Sequence, residues 1–194
     1  MDSTFGTKLA TKVGTLKGEK YHNYMYKIVW TVLLSATFFA CQNLHNASFS
    51  ADGVSFVLPN MWTIETIDSL GGSGFYVSCE KDTPDQYAFI SFTILDGESE
   101  PTDAITAQEE AVRENPFFLQ WRTRFIPPQT AQFAGFPAMK GGYYTTNADK
   151  NIRADVYCFV CGGKTLTFLQ QGLLQDSLQH AQNRQDIEQQ FKCQ

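Results

Sequence analysis

From Ser48 onward, apolar and polar positions run in short stretches punctuated by glycine, proline and asparagine, a pattern of strands and tight turns. Ser48 to Ala51 and Val54 to Leu58 flank Asp52-Gly53, a dipeptide suited to the positive φ angles of a two-residue hairpin. Pro59-Asn60 breaks the run and Trp62 to Ile67 resumes it. Gly71 to Gly74 reads as a loop, and strands follow at Phe75 to Glu80 and Tyr87 to Leu95. Pro101-Thr102-Asp103 opens a helix to Asn115: proline is tolerated where no amide donor is needed, and Asp103, Glu109 and Glu110 lie toward the positive end. Ala104, Ile105, Gln108, Ala111 and Val112 give it one modestly apolar face. Strand patterns return at Trp121 to Ile126, Gln129 to Phe133, Met139 to Thr146, Ile152 to Cys161 and Lys164 to Gln171, the last two joined by Gly162-Gly163. A closing helix from Ser177 to Phe191 carries Leu178, Ala181, Ile187 and Phe191. No internal repeat or linker interrupts residues 48–194, which predicts one α+β domain.

Upstream the pattern changes. Met25-Tyr26-Lys27 precedes an unbroken apolar run from Ile28 to Ala40, and Cys41 follows directly. A helix over that run would span about 20 Å, short of the about 30 Å of a bilayer core, so it predicts a cleaved export signal rather than a permanent span. The ending resembles the lipobox of bacterial lipoproteins, in which the cysteine is lipidated and becomes the first residue. Phe38 and Phe39 depart from the commonest form, and Bacteroidetes-type signals are looser at those positions. The resemblance implies lipidation at Cys41, with residues 42–47 as a polar tether. Residues 1–24 read as a leader or a mis-assigned start, because they lack apolar periodicity and Met25 makes a better initiator.

Composition agrees with a small folded domain. Of 194 residues 43% are hydrophobic, enough for a core without metal staples. Sixteen Phe and eight Tyr favour pleated strands over a helical bundle. A net charge of −5 with no concentrated basic stripe excludes nucleic acid as a partner.

Candidate chemistry is sparse. Cys158-Phe-Val-Cys161 ends a strand instead of opening a helix, so the dipole that activates redox pairs is missing. Residues three apart on a strand point to opposite faces about 10 Å apart, beyond disulfide reach. With Cys41 lipidated, Cys79, Cys158, Cys161 and Cys193 remain, an even number that allows three pairings in an oxidising compartment. Zinc would require Cys158, Cys161, His180 and Cys193 to converge, at a spacing that fits no compact zinc module. His180 is the one histidine placed well inside the domain, and the helix reading puts it on a partly polar, solvated face. No Gly-x-Ser-x-Gly elbow, phosphate-binding loop or His-Glu-x-x-His is present, so no catalytic residue and no cofactor is assigned. Arg113, Arg122 and Arg124 form a candidate anion site if the first helix packs beside its neighbouring strand. Trp121, Tyr143, Tyr144 and Tyr157 form a candidate ligand groove on the sheet. Asp68-Ser69-Leu70 and Asp176-Ser177-Leu178 match the short O-glycosylation pattern of exported Bacteroidetes proteins, and Asp176-Ser177 also suits a helix cap.

Three segments together resemble the PsbP-like family: Val54 to Trp62 with its F-x-x-P-x-x-W element, the turn Ala134-Gly-Phe-Pro-Ala138, and the pair Ala154 to Val160 and Lys164 to Leu169 before a closing helix. The resemblance implies an antiparallel sheet flanked by helices, an α/β/α sandwich, and it brings no catalytic residues with it. The expectation is a non-enzymatic accessory or binding module, held to the membrane by its lipid and facing the periplasm or exterior. Its partner would be an envelope protein or a small ligand. Two alternatives stay open: an envelope hydrolase whose site is assembled only by folding, and a module for a small ligand, anion or metal.

Overall fold

The computed structural model describes residues 46–194 except 82–86, 117 and 148. The expected leader, the export signal, Cys41 and most of the tether lie outside the described residues. Two sheets make up the domain. A seven-stranded antiparallel sheet comprises β3 (Trp62–Ser69), β4 (Gly74–Lys81), β5 (Phe89–Asp96), β6 (Arg122–Phe133), β7 (Phe136–Asn147), β8 (Lys150–Cys161) and β9 (Lys164–Leu173), in the order β3-β4-β5-β9-β8-β7-β6. A small sheet pairs β1 (Ser48–Ala51) and β10 (Lys192–Cys193) on either side of β2 (Val54–Val57). Helix α1 (Pro101–Glu114) links β5 to β6, and α2 (Ser177–Gln190) follows β9 through a 3₁₀ turn at Leu174–Asp176.

Strand alternation assigns the two faces of the large sheet. On β8, Ala154, Val156 and Cys158 face α1, where Ile105 packs on Val156, Cys158 and Leu169, and Val112 packs on Tyr143 and Ala154. The odd positions Tyr157, Phe159 and Cys161 point the other way, into a core shared with the small sheet and α2. Phe56 of β2 stacks on Phe92 at 3.9 Å between centroids, and Phe133 meets Phe159 and Phe168 at 4.9 Å. Ile187 and Phe191 close that core from α2. The helices thus lie on opposite faces, the arrangement expected of the α+β reading.

Local chemistry explains where boundaries differ from expectation. Ala134 (φ 50°) and Gly135 (φ 86°) alone turn the chain between β6 and β7, so β7 begins at Phe136 rather than Met139. The two segments expected between Trp121 and Phe133 are one strand, with a register break between Ile126 and Gln129 around Pro127-Pro128. Prolines cannot donate to a ladder, and β6 tolerates them because it is an edge strand. At Gly141 any Cβ would press on Ile105 Cγ2 at 2.7 Å, so glycine lets α1 approach the sheet. The closing helix buries Asn183 and Ile187, whereas Leu178 is 86% exposed. Its first turns stand over something other than an apolar core.

Candidate functional site

A cavity of about 140 Å³ lies between the first turns of α2 and the sheet. Its floor comes from three adjacent strands. Arg153 and Asp155 are outward positions of β8, Lys140 of β7 pairs with Tyr157, and Gln170 of β9 pairs with Asp155. Its roof is Ser177, His180, Ala181 and Arg184, spaced i, i+3, i+4 and i+7 along one side of α2. That spacing accounts for the weak amphipathicity of α2: this turn faces polar groups. Gly172, opposite Arg153, makes room for the roof, since a Cβ there would collide with the His180 ring.

The polar groups are tightly connected. Arg153 donates from Nη2 and Nε to Asp155 Oδ1 at 2.9 and 3.1 Å. Lys140 Nζ lies 3.5 Å from Asp155 Oδ2, so both carboxylate oxygens face cations. Burial works against charge on Arg153, but attraction to Asp155 outweighs it and raises the guanidinium pKa. Arg184 Nη1 donates to Tyr157 Oη at 2.6 Å. Glu188 Oε1 sits 2.9 Å from Arg184 Nε, an ion-pair distance off the N–H axis, so that buried N–H has no aligned acceptor. Burial raises the Glu188 pKa, and Arg184 offsets this only partly. Lys140 and Arg184 also flank the Tyr157 ring at 5.1 and 5.2 Å. One donor stands out: Gln170 is 5% exposed, and its Nε2 is buried without a hydrogen-bond partner.

The residues singled out from sequence fall elsewhere or apart. Arg113 lies 4.0 Å over the Phe125 ring on the α1 side, whereas Arg122 and Arg124 pair with Thr146 and Tyr144 and are exposed on the opposite face. The three arginines therefore form no common anion site; the cations that converge are Lys140, Arg153 and Arg184. The four aromatics form no single groove either. Tyr143 is buried on the α1 face, donates to Gln171 Oε1 at 2.6 Å and has its pKa raised by burial. Trp121 reaches that side through Phe118, their ring centroids 5.5 Å apart. Tyr144 and Tyr157 belong to the other face, where each ring meets a site cation.

Among the cysteines, Cys161 and Cys193 form a disulfide with a Cα–Cα distance of 6.1 Å. Cys79 and Cys158 are buried free thiols. Burial pushes the Cys79 thiol up to about 12 and raises Cys158, to which Thr167 donates a 3.7 Å hydrogen bond. Cys158 faces α1 while Cys161 is disulfide-bonded, so the candidate zinc ligands do not converge. Sequence reading missed the cavity because its charges are scattered over β7, β8 and α2, and its buried amide comes from β9. The usable signal was local: Arg153-Ala-Asp155 places two opposite charges on one side of an otherwise apolar strand.

No protein-family model matches this chain, and no curated protein matches it. Solved structures do. Cyanobacterial PsbP (CyanoP) from Synechocystis sp. PCC 6803 superposes with a TM-score of 0.54 at 15% identity, covering 80% of this chain and 96% of that one. A protein from Bacteroides thetaiotaomicron VPI-5482 gives 0.47 at 8% identity over 77% of this chain and 49% of that one. LpqN, involved in cell envelope biogenesis of Mycobacterium tuberculosis, gives 0.46 at 12% identity over 79% and 88%. The domain has a PsbP-like α+β fold. At these identities the likeness concerns the fold alone.

Proposed function

We propose that this chain is an exported module of the bacterial cell envelope, tethered by a lipid on Cys41, that binds a small ligand or partner without turning it over. The observation carrying the binding part is the cavity under α2, where charged side chains from β7, β8 and α2, with Gln170 of β9, are held together below a gap in the packing. The address rests on the Met25 to Cys41 pattern. The Cys161–Cys193 disulfide supports it, because such bonds persist in oxidising compartments.

A hydrolase is the second reading, since Ser177, His180 and Asp155 line one cavity. Asp155 speaks against it. Both of its oxygens face Arg153 and Lys140, which favours a structural anion over a carboxylate orienting a general base.

The test uses the full chain in a bacterial host fed a clickable fatty acid. Wild type should take up label and sediment with membranes, while Cys41→Ser should do neither. Label on both proteins, or on neither, defeats the tether. Turnover of ester substrates by wild type that is lost in His180→Ala would replace the binding module with the hydrolase.

A further inference from the structure

We infer that the cavity under α2 is a site for a small organic oxyanion, a free metabolite bearing a carboxylate or phosphate group, received by Gln170 Nε2, Arg153 and Lys140. The inference rests on the binding-module reading and names the class of ligand.

Charge is the first argument. Lys140, Arg153 and Arg184 line the cavity against Asp155, and with Glu188 paired to Arg184 the local balance is three cations to two carboxylates on a chain whose net charge is −5. Local positive excess on an acidic protein favours an anion and repels a cation. Donor capacity is the second. Lysine has three donor hydrogens and arginine five, so engaging Asp155 leaves both side chains with donors to give. Asp155 acts here as a positioning residue: it draws Lys140 and Arg153 together from neighbouring strands.

Gln170 is the third and independent argument. A buried donor without an acceptor costs about 1–3 kcal/mol, and this one belongs to a cavity-lining residue. A small rotation of the amide toward the cavity would let an oxyanion accept from it and remove that cost. The first turn of α2, whose Ser177 and His180 form the roof, adds the partial positive charge of a helix N-terminus. Size is the last argument. About 140 Å³ holds roughly five water-sized groups, more than a halide fills and enough for the carboxylate or phosphate end of a small organic acid.

The experiment titrates the full chain in detergent micelles with succinate, inorganic phosphate and ethanolamine at matched ionic strength. Binding is followed by calorimetry and by the side-chain amide resonances of ¹⁵N-labelled protein. Succinate or phosphate should bind saturably and shift the Gln170 amide, and which of the two binds more tightly separates carboxylate from phosphate ligands. Gln170→Glu, which places a negative charge where the donor was, should weaken binding at least about tenfold. Arg113→Ala, on the far face, should leave it unchanged. If Gln170→Glu does not fold, Lys140→Met takes its place with the same expected loss. Saturable binding of neither anion, equal binding of ethanolamine, or unchanged affinity in the cavity variant overturns the inference. Failure of anion binding with Cys41 labelling intact removes the oxyanion site and leaves the tethered module, whereas the reverse pattern removes the tether alone.

Discussion

Cys79 is fully buried among aromatic and aliphatic side chains, and its thiol is held neutral up to about 12 against an ordinary value of 9.0. The unfolded chain loses that proton above about pH 9, while the folded chain keeps it until about 12. Stability from this residue is therefore fully present below the unfolded value and is lost as pH rises through that window. The loss is on the order of 4 kcal/mol at the top of the window. Cys158 and Tyr143 are shifted in the same direction by burial and steepen the decline. Urea midpoints for wild type should fall between about pH 8 and about pH 11, and Cys79→Ala should flatten the fall while lowering the unfolding free energy at neutral pH by about 1 kcal/mol. Parallel curves for the two proteins would show that Cys79 ionisation is not coupled to folding. At this scale the sequence exposed residue types but not surroundings. Gly172 looks like any strand glycine until the His180 ring is seen against it. Gly172→Ala should displace that ring, seen as a shift of the His180 imidazole resonances, while circular dichroism stays native.

Elements were legible where one pattern dominated. The β1–β2 hairpin around Asp52-Gly53, the β8–β9 hairpin around Gly162-Gly163 and the proline-led α1 all follow local rules, and all form as expected. Elements that depend on distant partners were not legible. β10 has two residues, too few for periodicity, and forms through pairing with Ser55 and Val54 and the bond from Cys193 to Cys161. Nor could pattern alone choose among the cysteine pairings, because the choice depends on β10 running along β2. The cavity is hidden for the same reason: Arg153 beside Gly172, or Asp155 beside Gln170, are matters of register rather than composition. The disulfide closes a loop with a sequence separation of 32, so by chain entropy it stabilises by about 3–4 kcal/mol. Cys193→Ser should lower unfolding free energy by about that amount, with native circular dichroism and faster hydrogen exchange confined to β10 and its partners on β2. Stability equal to wild type, or exchange spread evenly over all strands, would contradict this placement of the bond.

On the scale of the whole domain, the two faces of the large sheet divide the labour. The α1 face is sealed by aliphatic and aromatic contacts around Ile105 and Val112, and the opposite face carries both the aromatic core and the cavity. The largest core cluster draws residues from β1 through β9 and from α2, so no group of strands has a core of its own. Strand order reinforces this. β9 lies between β5 and β8, joining the early strands to the late meander, so unfolding either half exposes Phe168 and its aromatic neighbours. Residues 46–194 should therefore unfold in one cooperative step. Trp62 starts β3 at one edge of the sheet, and Trp121 precedes β6 at the other, which provides a reporter at each end. In urea, Trp62→Phe and Trp121→Phe should each leave a fluorescence transition coincident with the far-ultraviolet dichroism of the same variant. The slope should be that of a small domain, about 1–3 kcal/mol per molar. Separate midpoints for the two reporters would mean that the edges melt independently. The cavity between β7, β8, β9 and α2 would then rest on one half of the sheet rather than on the shared core.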